Sequence, residues 1–162
     1  MLIICYNTHI VKKKQNQPKR IENRRARHDY ALGDSFVVGI VLNGGETKAL
    51  RMGQGQLRGA YVTIKDNELW LVNATITGTT QVRVEEAEQT RSRKLLAKRR
   101  EIDVMQAAKN QGNTIVPTEI LTSGRFIKLR IAVGKGKQLY DKRDTLKKRD
   151  ETRRIQMEMK RH

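Results

Sequence analysis

His9, His28 and His162 are the only histidines of this chain, and Cys5 is its only cysteine. A metal centre needs several such ligands at short, fixed spacing, and no spacing of that kind occurs. Ser35, Ser92 and Ser123 fall in turn or cap contexts, without the sharp strand-to-helix elbow that exposes a nucleophile. Asp29, Asp34, Asp66 and Asp103 sit in unrelated surroundings, so no carboxylate set gathers for a catalytic ion. Two glycine motifs also fail as nucleotide loops. GQG at 53–55 lacks a following GK[ST] and a third glycine, and GKGK at 134–137 opens no βαβ helix. No enzyme, cofactor or small-molecule substrate is expected.

What remains is cationic chemistry. The chain carries 34 Lys and Arg against 17 Asp and Glu, a net charge of +17 over 162 residues, which suits a protein that lives against phosphate. The charge is uneven: residues 1–30 carry a net +6, 31–90 a net −2, 91–133 a net +7 and 134–162 a net +6. Each basic group has two readings. Lys94, Lys98, Arg99 and Arg100 are either the solvated face of a helix or a phosphate-binding face. GKGK is either a linker or a segment whose glycines let backbone and ammonium groups approach phosphates closely. Tyr140, amid charge, either packs on the body or stacks on a base. Glu46 either pairs locally with Lys48 and Arg51, or accepts from exocyclic amines and 2′-hydroxyls.

The elements that must position these groups follow from periodicity. The basic stretch at 12–30 reads as an arm at least as far as Ala26. FVVGIVL at 36–42 reads as the first buried strand, and ETKALR at 46–51 as a short helix stopped by glycine. AYVTIK at 60–65 and ELWLVN at 68–73 flank Asp66 and Asn67, a two-residue hairpin turn. Residues 74–80 continue the strand, and Glu85, Glu86 and Glu88 mark an exposed loop or strand end. Residues 93–110 predict a helix capped by Ser92, with Leu95, Ile102, Met105 and Ala108 inward and a basic opposite face. Strand runs follow at 114–121 and 125–133, with Pro117 at an edge or a bulge. The expected architecture is one α+β domain, β-rich with flanking helices, in which a small sheet closes as an open barrel to hide its edges. The tail at 134–162 has too little apolar surface to order itself, so it is expected to be disordered when free.

The apolar opening MLIICY is shorter than a signal-peptide core and no basic stretch precedes it, so residues 1–11 read as a dispensable extension. No run approaches membrane-spanning length, and one cysteine excludes an internal disulfide. The default location is cytoplasmic, with no membrane partner.

Five strings are similar to one family in order and spacing: RRARHDY at 24–30, GIVLNGGETKALR at 39–51, AYVTIKDNELWLVN at 60–73, RSRKLLAKRREID at 91–103 and GKGKQLYDKRDTLKKRD at 134–150. Over about residues 20–162 the chain resembles the SmpB family of SsrA-binding proteins. That resemblance implies an OB-like β-barrel with about three helices, which binds the tRNA-like domain of tmRNA (SsrA RNA). With EF-Tu, it would carry that RNA into the empty A site of a stalled 70S ribosome for trans-translation. The implied division is a basic N-terminal arm (1–23), a tmRNA-binding barrel (24–133) and a basic C-terminal tail (134–162). The tail would become helical on entering the decoding centre of 16S rRNA and the vacant mRNA channel. The implied tmRNA face comprises Arg25, Arg27, His28, Glu46, Lys48, Arg51, Lys94, Leu96, Lys128 and Arg130. The implied ribosome-binding set is Gly134, Lys135, Gly136, Lys137, Tyr140, Asp141, Lys142 and Arg143, with Asp141 read as a cap for the tail helix. The chain departs from the family's habit at Val37, where an acidic residue is common, at Gly45 and Thr47, and in the 78–89 connection. The competing expectation from charge and fold class alone is a ribosomal or ribosome-assembly rRNA-binding protein.

Overall fold

The computed structural model describes residues 21–80 and 82–159; the expectations for residues 1–11 and the basic run at 12–20 lie outside them. The chain begins with β1 (Ile21–Glu22), α1 (Arg24–Asp29) and β2 (Tyr30–Ile40). Next come α2 (Gly44–Arg51), β3 (Gly55–Gln56), β4 (Tyr61–Lys65), β5 (Glu68–Val72) and β6 (Thr75–Ile76). α3 (Glu86–Gln89), β7 (Arg93–Leu96), α4 (Arg99–Asn110), β8 (Thr114–Leu121), β9 (Lys128–Gly136) and α5 (Leu139–Met159) complete it.

Seven strands form one sheet in the order β1-β8-β4-β5-β7-β2-β9, and β9 pairs again with β8. The pairings from β8 through β4, β5, β7, β2 and β9 therefore return to β8 as a ring. β3 and β6 make a separate two-stranded sheet. Alternation sets the core: Leu69 and Leu71 of β5, Leu129 and Ile131 of β9 and Leu95 of β7 point inward, where they meet Leu50 of α2 and Met105 of α4. Burying such side chains is worth roughly 1.5–3 kcal/mol each, the main force holding these short strands together.

Several expectations need correction. β2 starts six residues earlier than the apolar run suggests, because Tyr30, Ala31 and Leu32 pair with Gly136, Lys135 and Gly134. GKGK is thus largely strand rather than a flexible link. Gly134 is needed there, since a Cβ would stand only 3.0 Å from the Ala31 carbonyl oxygen. The arm reading at 12–30 also fails at its end: Ile21 is buried, and residues 24–29 form α1. The helix expected over 93–110 begins only at Arg99. Before it, RKLL is a strand of period two, with Arg93 and Leu95 inward, and its pattern was masked because one inward residue is an arginine. The N-cap of α4 is Lys98 rather than Ser92, and the carboxylate of Glu101, the third residue of the helix, accepts from the Lys98 N–H at 2.9 Å. The acidic stretch near residue 86 closes into the single turn of α3. The last strand starts at Lys128 rather than 125. Among the described residues there are five helices where about three were expected, two of them only six and four residues long.

The hairpin turn and the bulge stand where they were expected. Asp66 and Asn67 have φ of 53° and 60°, the left-handed pair of a two-residue hairpin turn. Pro117 sits at a bulge, where the β8–β9 register shifts between Pro117 and Glu119. Among the described residues no helix is long and apolar enough to cross a membrane, and no group of three or more His, Cys, Asp or Glu is placed to hold a metal ion.

Candidate nucleic-acid interface

One outward face runs across β9, β2, β7 and β5. Register places Arg130 opposite Val37, Lys128 opposite Gly39, Gly39 opposite Leu96, and Lys94 opposite Trp70. A Cβ at Gly39 would lie 3.2 Å from the Leu96 Cβ, so glycine there lets Leu96 lie close across β2. Leu96 is 55 % exposed despite its size. At the edge of this face Phe126 is 71 % exposed, with the Arg125 guanidinium 5.4 Å from its ring centroid. Arg51 of α2 donates to the Arg125 carbonyl oxygen at 3.0 Å, which brings α2 and its exposed Lys48 to the same edge. Lys94 is paired with Glu68, and Arg130 with Glu119 at 2.8 Å. The Lys128 side chain has no ion pair or hydrogen bond with the described residues.

Glu46 is elsewhere. Its side chain is 1 % exposed and turned inward, so it is not placed as a surface acceptor for exocyclic amines or 2′-hydroxyls. One oxygen accepts from Arg91 Nε and Arg93 Nε, both at 2.9 Å, and the other from Arg91 Nη2 at 2.6 Å and the Asn43 N–H at 2.8 Å. Burial raises the Glu46 pKa, but the hydrogen bonds from Arg91 and Asn43 and the charge of Arg93 outweigh burial and hold it below its ordinary value. Arg93 is fully buried, and burial pushes its pKa down; Arg91 is pushed up by its bond to Glu46. The Arg93 guanidinium also donates to the carbonyls of Ala74, Glu88, Gln89 and Arg91. This cluster locks α2, α3 and β7 together, and so fixes where Lys48, Arg51, Lys94 and Leu96 stand.

The opposite end of β9 gathers a second set. The Lys137 N–H donates to the Asp29 carbonyl at 2.8 Å, and its Nζ donates to the Arg27 carbonyl at 3.1 Å. Arg25, Arg27 and His28 are exposed on α1 beside them, and Lys135 is exposed on β9. Here α5 departs. Every described side chain along it is exposed, including Ile155, Met157 and Met159.

Comparison with known proteins matches this architecture. A family model described as SmpB protein covers residues 20–161. The chain belongs to the SmpB family. SsrA-binding proteins of Dinoroseobacter shibae, Pseudomonas putida and Streptococcus pyogenes are 45 %, 44 % and 41 % identical over 86 %, 83 % and 86 % of this chain, and over 88 %, 86 % and 90 % of their own lengths. A solved chain from work described as "tmRNA-SmpB: a journey to the center of the bacterial ribosome" superposes with a TM-score of 0.64 at 31 % identity, covering 80 % of this chain and 95 % of that one.

For this SmpB-family chain, the residues expected on one RNA face separate into two groups. Lys48, Arg51, Lys94, Leu96, Lys128 and Arg130 cluster around the β9–β2–β7 face and its edge, whereas Arg25, Arg27 and His28 stand toward the other end of β9, with Gly134, Lys135, Gly136 and Lys137; a cleft whose lining includes Arg27, Val37 and Arg130 lies between the two groups. Tyr140, Asp141, Lys142 and Arg143 are positions in the first turns of α5. Asp141 is its third residue, inside the helix rather than before it, where a carboxylate still favours the helix dipole. The sequence reading did not single out Asn23, Arg91, Arg93 or Phe126. Only Phe126 carried a local signal, an aromatic next to Arg125 straight after the turn residues Ser123 and Gly124.

Proposed function

We propose that this chain binds the tRNA-like domain of tmRNA and, with EF-Tu, delivers it to the A site of stalled ribosomes in the cytoplasm. There the tagged peptide can be released. The observation that carries this reading is the Lys128–Gly39–Leu96 row in a chain of the SmpB family. On that face an unpaired ammonium, a guanidinium at each side and apolar surface stand together on rigid strands. Cations supply phosphate affinity, and the apolar groups offer contact to unstacked bases. The chain acts as an adaptor, without chemistry of its own.

The ring of pairings is read as an OB-like barrel, with the arm ending before Ile21 and the tail starting after Gly136. The tail would be only marginally helical in free solution, because an isolated helix with no packed face gains little from its hydrogen bonds. In the decoding centre and an empty mRNA channel, rRNA phosphates on all sides would neutralise its charge and stabilise the helix; an occupied channel would exclude it. Glu46 serves as a positioning residue in this reading, not as an RNA contact.

The test is affinity for the tRNA-like domain of tmRNA against duplex rRNA of equal length at physiological salt. A preference of roughly a thousandfold or more is expected, the low end of the usual range of specific over generic binding. Equal affinities would reduce the interaction to its electrostatic part and favour an ordinary rRNA-binding protein.

A further inference from the structure

The end of the sheet away from Lys128 carries a cleft of about 460 Å³ whose lining includes Arg25, Asp29, Tyr30, Arg58, Gly59 and Tyr61. Its far wall is distant from Lys128: Tyr30 in the lining pairs with Gly136, eight residue steps of β9 from Lys128, about 26 Å at the usual strand rise, while its near wall reaches Val116, opposite Ala132.

The cleft is built on a buried pin. Asn23 is buried, and its Nδ2 donates to the carbonyls of Leu57 at 3.1 Å and Pro117 at 3.0 Å. Its own N–H donates to Thr118 at 2.8 Å, and its Oδ1 accepts from the Ala26 N–H at 3.3 Å. One side chain therefore ties the start of α1 to the 57–60 turn and to the β8 bulge. The turn is fixed again by Asn73 Nδ2, which donates to the Gly59 carbonyl at 3.2 Å, and by the Ala60 N–H donating to Leu57 at 3.1 Å. Arg25 follows the pin by two residues and Arg58 follows Leu57 directly, so both cations are carried on walls that hold their spacing. Neither guanidinium has an ion pair or hydrogen bond with the described residues. Tyr61, on the next strand, is 46 % exposed. Asp29, a carboxylate in the lining, is held against His28 Nδ1 at 3.0 Å.

Two unpaired guanidiniums for phosphate beside an open aromatic ring suit an unpaired nucleotide. A duplex does not suit them, because its stacked bases offer no free face. We propose that this cleft binds one unpaired nucleotide of an RNA strand, with the base on Tyr61 and the flanking phosphates on Arg25 and Arg58. The site is separate from the Lys128 face, and it can fail while tmRNA binding on that face stands.

The test uses the full chain with hexauridylate and a short RNA duplex at one salt concentration. Tyr61→Ala should weaken hexauridylate binding roughly tenfold, the usual loss when a stacking aromatic is removed, and leave duplex binding nearly unchanged. Tyr61→Phe should retain it. Arg58→Gln, on an exposed turn where the fold does not depend on it, should lower affinity and make the salt dependence shallower by about one. Unchanged hexauridylate binding in Arg58→Gln and Tyr61→Ala would overturn the proposal. So would equal losses on single strand and duplex, which would mean generic charge alone. With either variant, a loss confined to the small ribosomal subunit would assign the nucleotide to rRNA. A loss confined to the tRNA-like domain would assign it to tmRNA.

Discussion

The body at residues 21–136 and the helix α5 are both rich in cations, yet they hold them in opposite ways. In the body the cations of the Lys128 face sit on strands or a helix fixed by buried neighbours: Lys128 beside buried Leu129, Lys94 beside buried Leu95, Arg51 beside fully buried Leu50. Along α5 every described side chain is exposed, so none of those side chains is packed into a core that would fix where its charges stand. A preformed face can recognise a defined RNA shape with little loss of entropy. An unpacked helix must draw its order from what surrounds it, which makes its ordering conditional on that surrounding. The first arrangement suits affinity and the second suits a test of context.

The largest expected effect separates the two regions outright. Removing residues 139–162 should reduce peptide tagging on stalled ribosomes to background while leaving tRNA-like-domain affinity and the melting midpoint of the body unchanged. A fall in the melting midpoint would show that α5 packs on the body, and the contrast would collapse. Next comes Glu46→Gln, which leaves the buried Arg93 without its counter-charge. Breaking one partner of a buried pair costs about 3–5 kcal/mol, a large share of a small domain's stability, and denaturant unfolding would measure it. The same change should weaken tmRNA binding only in proportion to unfolding. A loss of affinity in fully folded protein would instead make Glu46 an RNA contact. Smaller again is Arg51→Ala with Lys128→Ala. Binding to the tRNA-like domain should fall roughly tenfold and its salt dependence become shallower by about two, with stability unchanged.

Much of the body was legible because its signals are local. The 60–73 hairpin could be placed from its alternation and from Asp66-Asn67, and the bulge from Pro117, since a residue without an N–H disturbs a paired strand. The two longest misreadings have one cause. β7 and the start of β2 are set by partners distant in sequence: Leu95 by Leu69 and Ile40, Tyr30 by Gly136. RKLL looks helical until Arg93 is known to lie inside, and a buried arginine is visible only once Glu46, 47 residues away in sequence, is brought to it. The same distance hid Asn23, whose partners are in the 57–60 turn and on β8. For the candidate site, the cations were identifiable from their strings. Their separation to two ends of one strand was not, because it depends on β9 running through GKGK rather than stopping before it.

The smallest effect sharpens the comparison through pH. Glu46 has its folded pKa held below the ordinary value of 4.5, so its pairing stabilises the fold fully above that value and is lost as pH falls through the lower, folded one. The stability gap between the natural chain and Glu46→Gln should therefore be widest above pH 4.5 and narrow as the solution is acidified below it. The chain lacking residues 139–162 should follow the natural chain throughout this window, because the titrating group and both its arginines belong to the body. Denaturant midpoints at a series of acidic pH values read all three proteins together. A gap that stays constant through the acid range would mean that Glu46 is not the ionised centre of the cluster. A truncated chain that departs from the natural one there would mean that the carboxylates of α5 contribute to folding, and that its charges are held by the body after all.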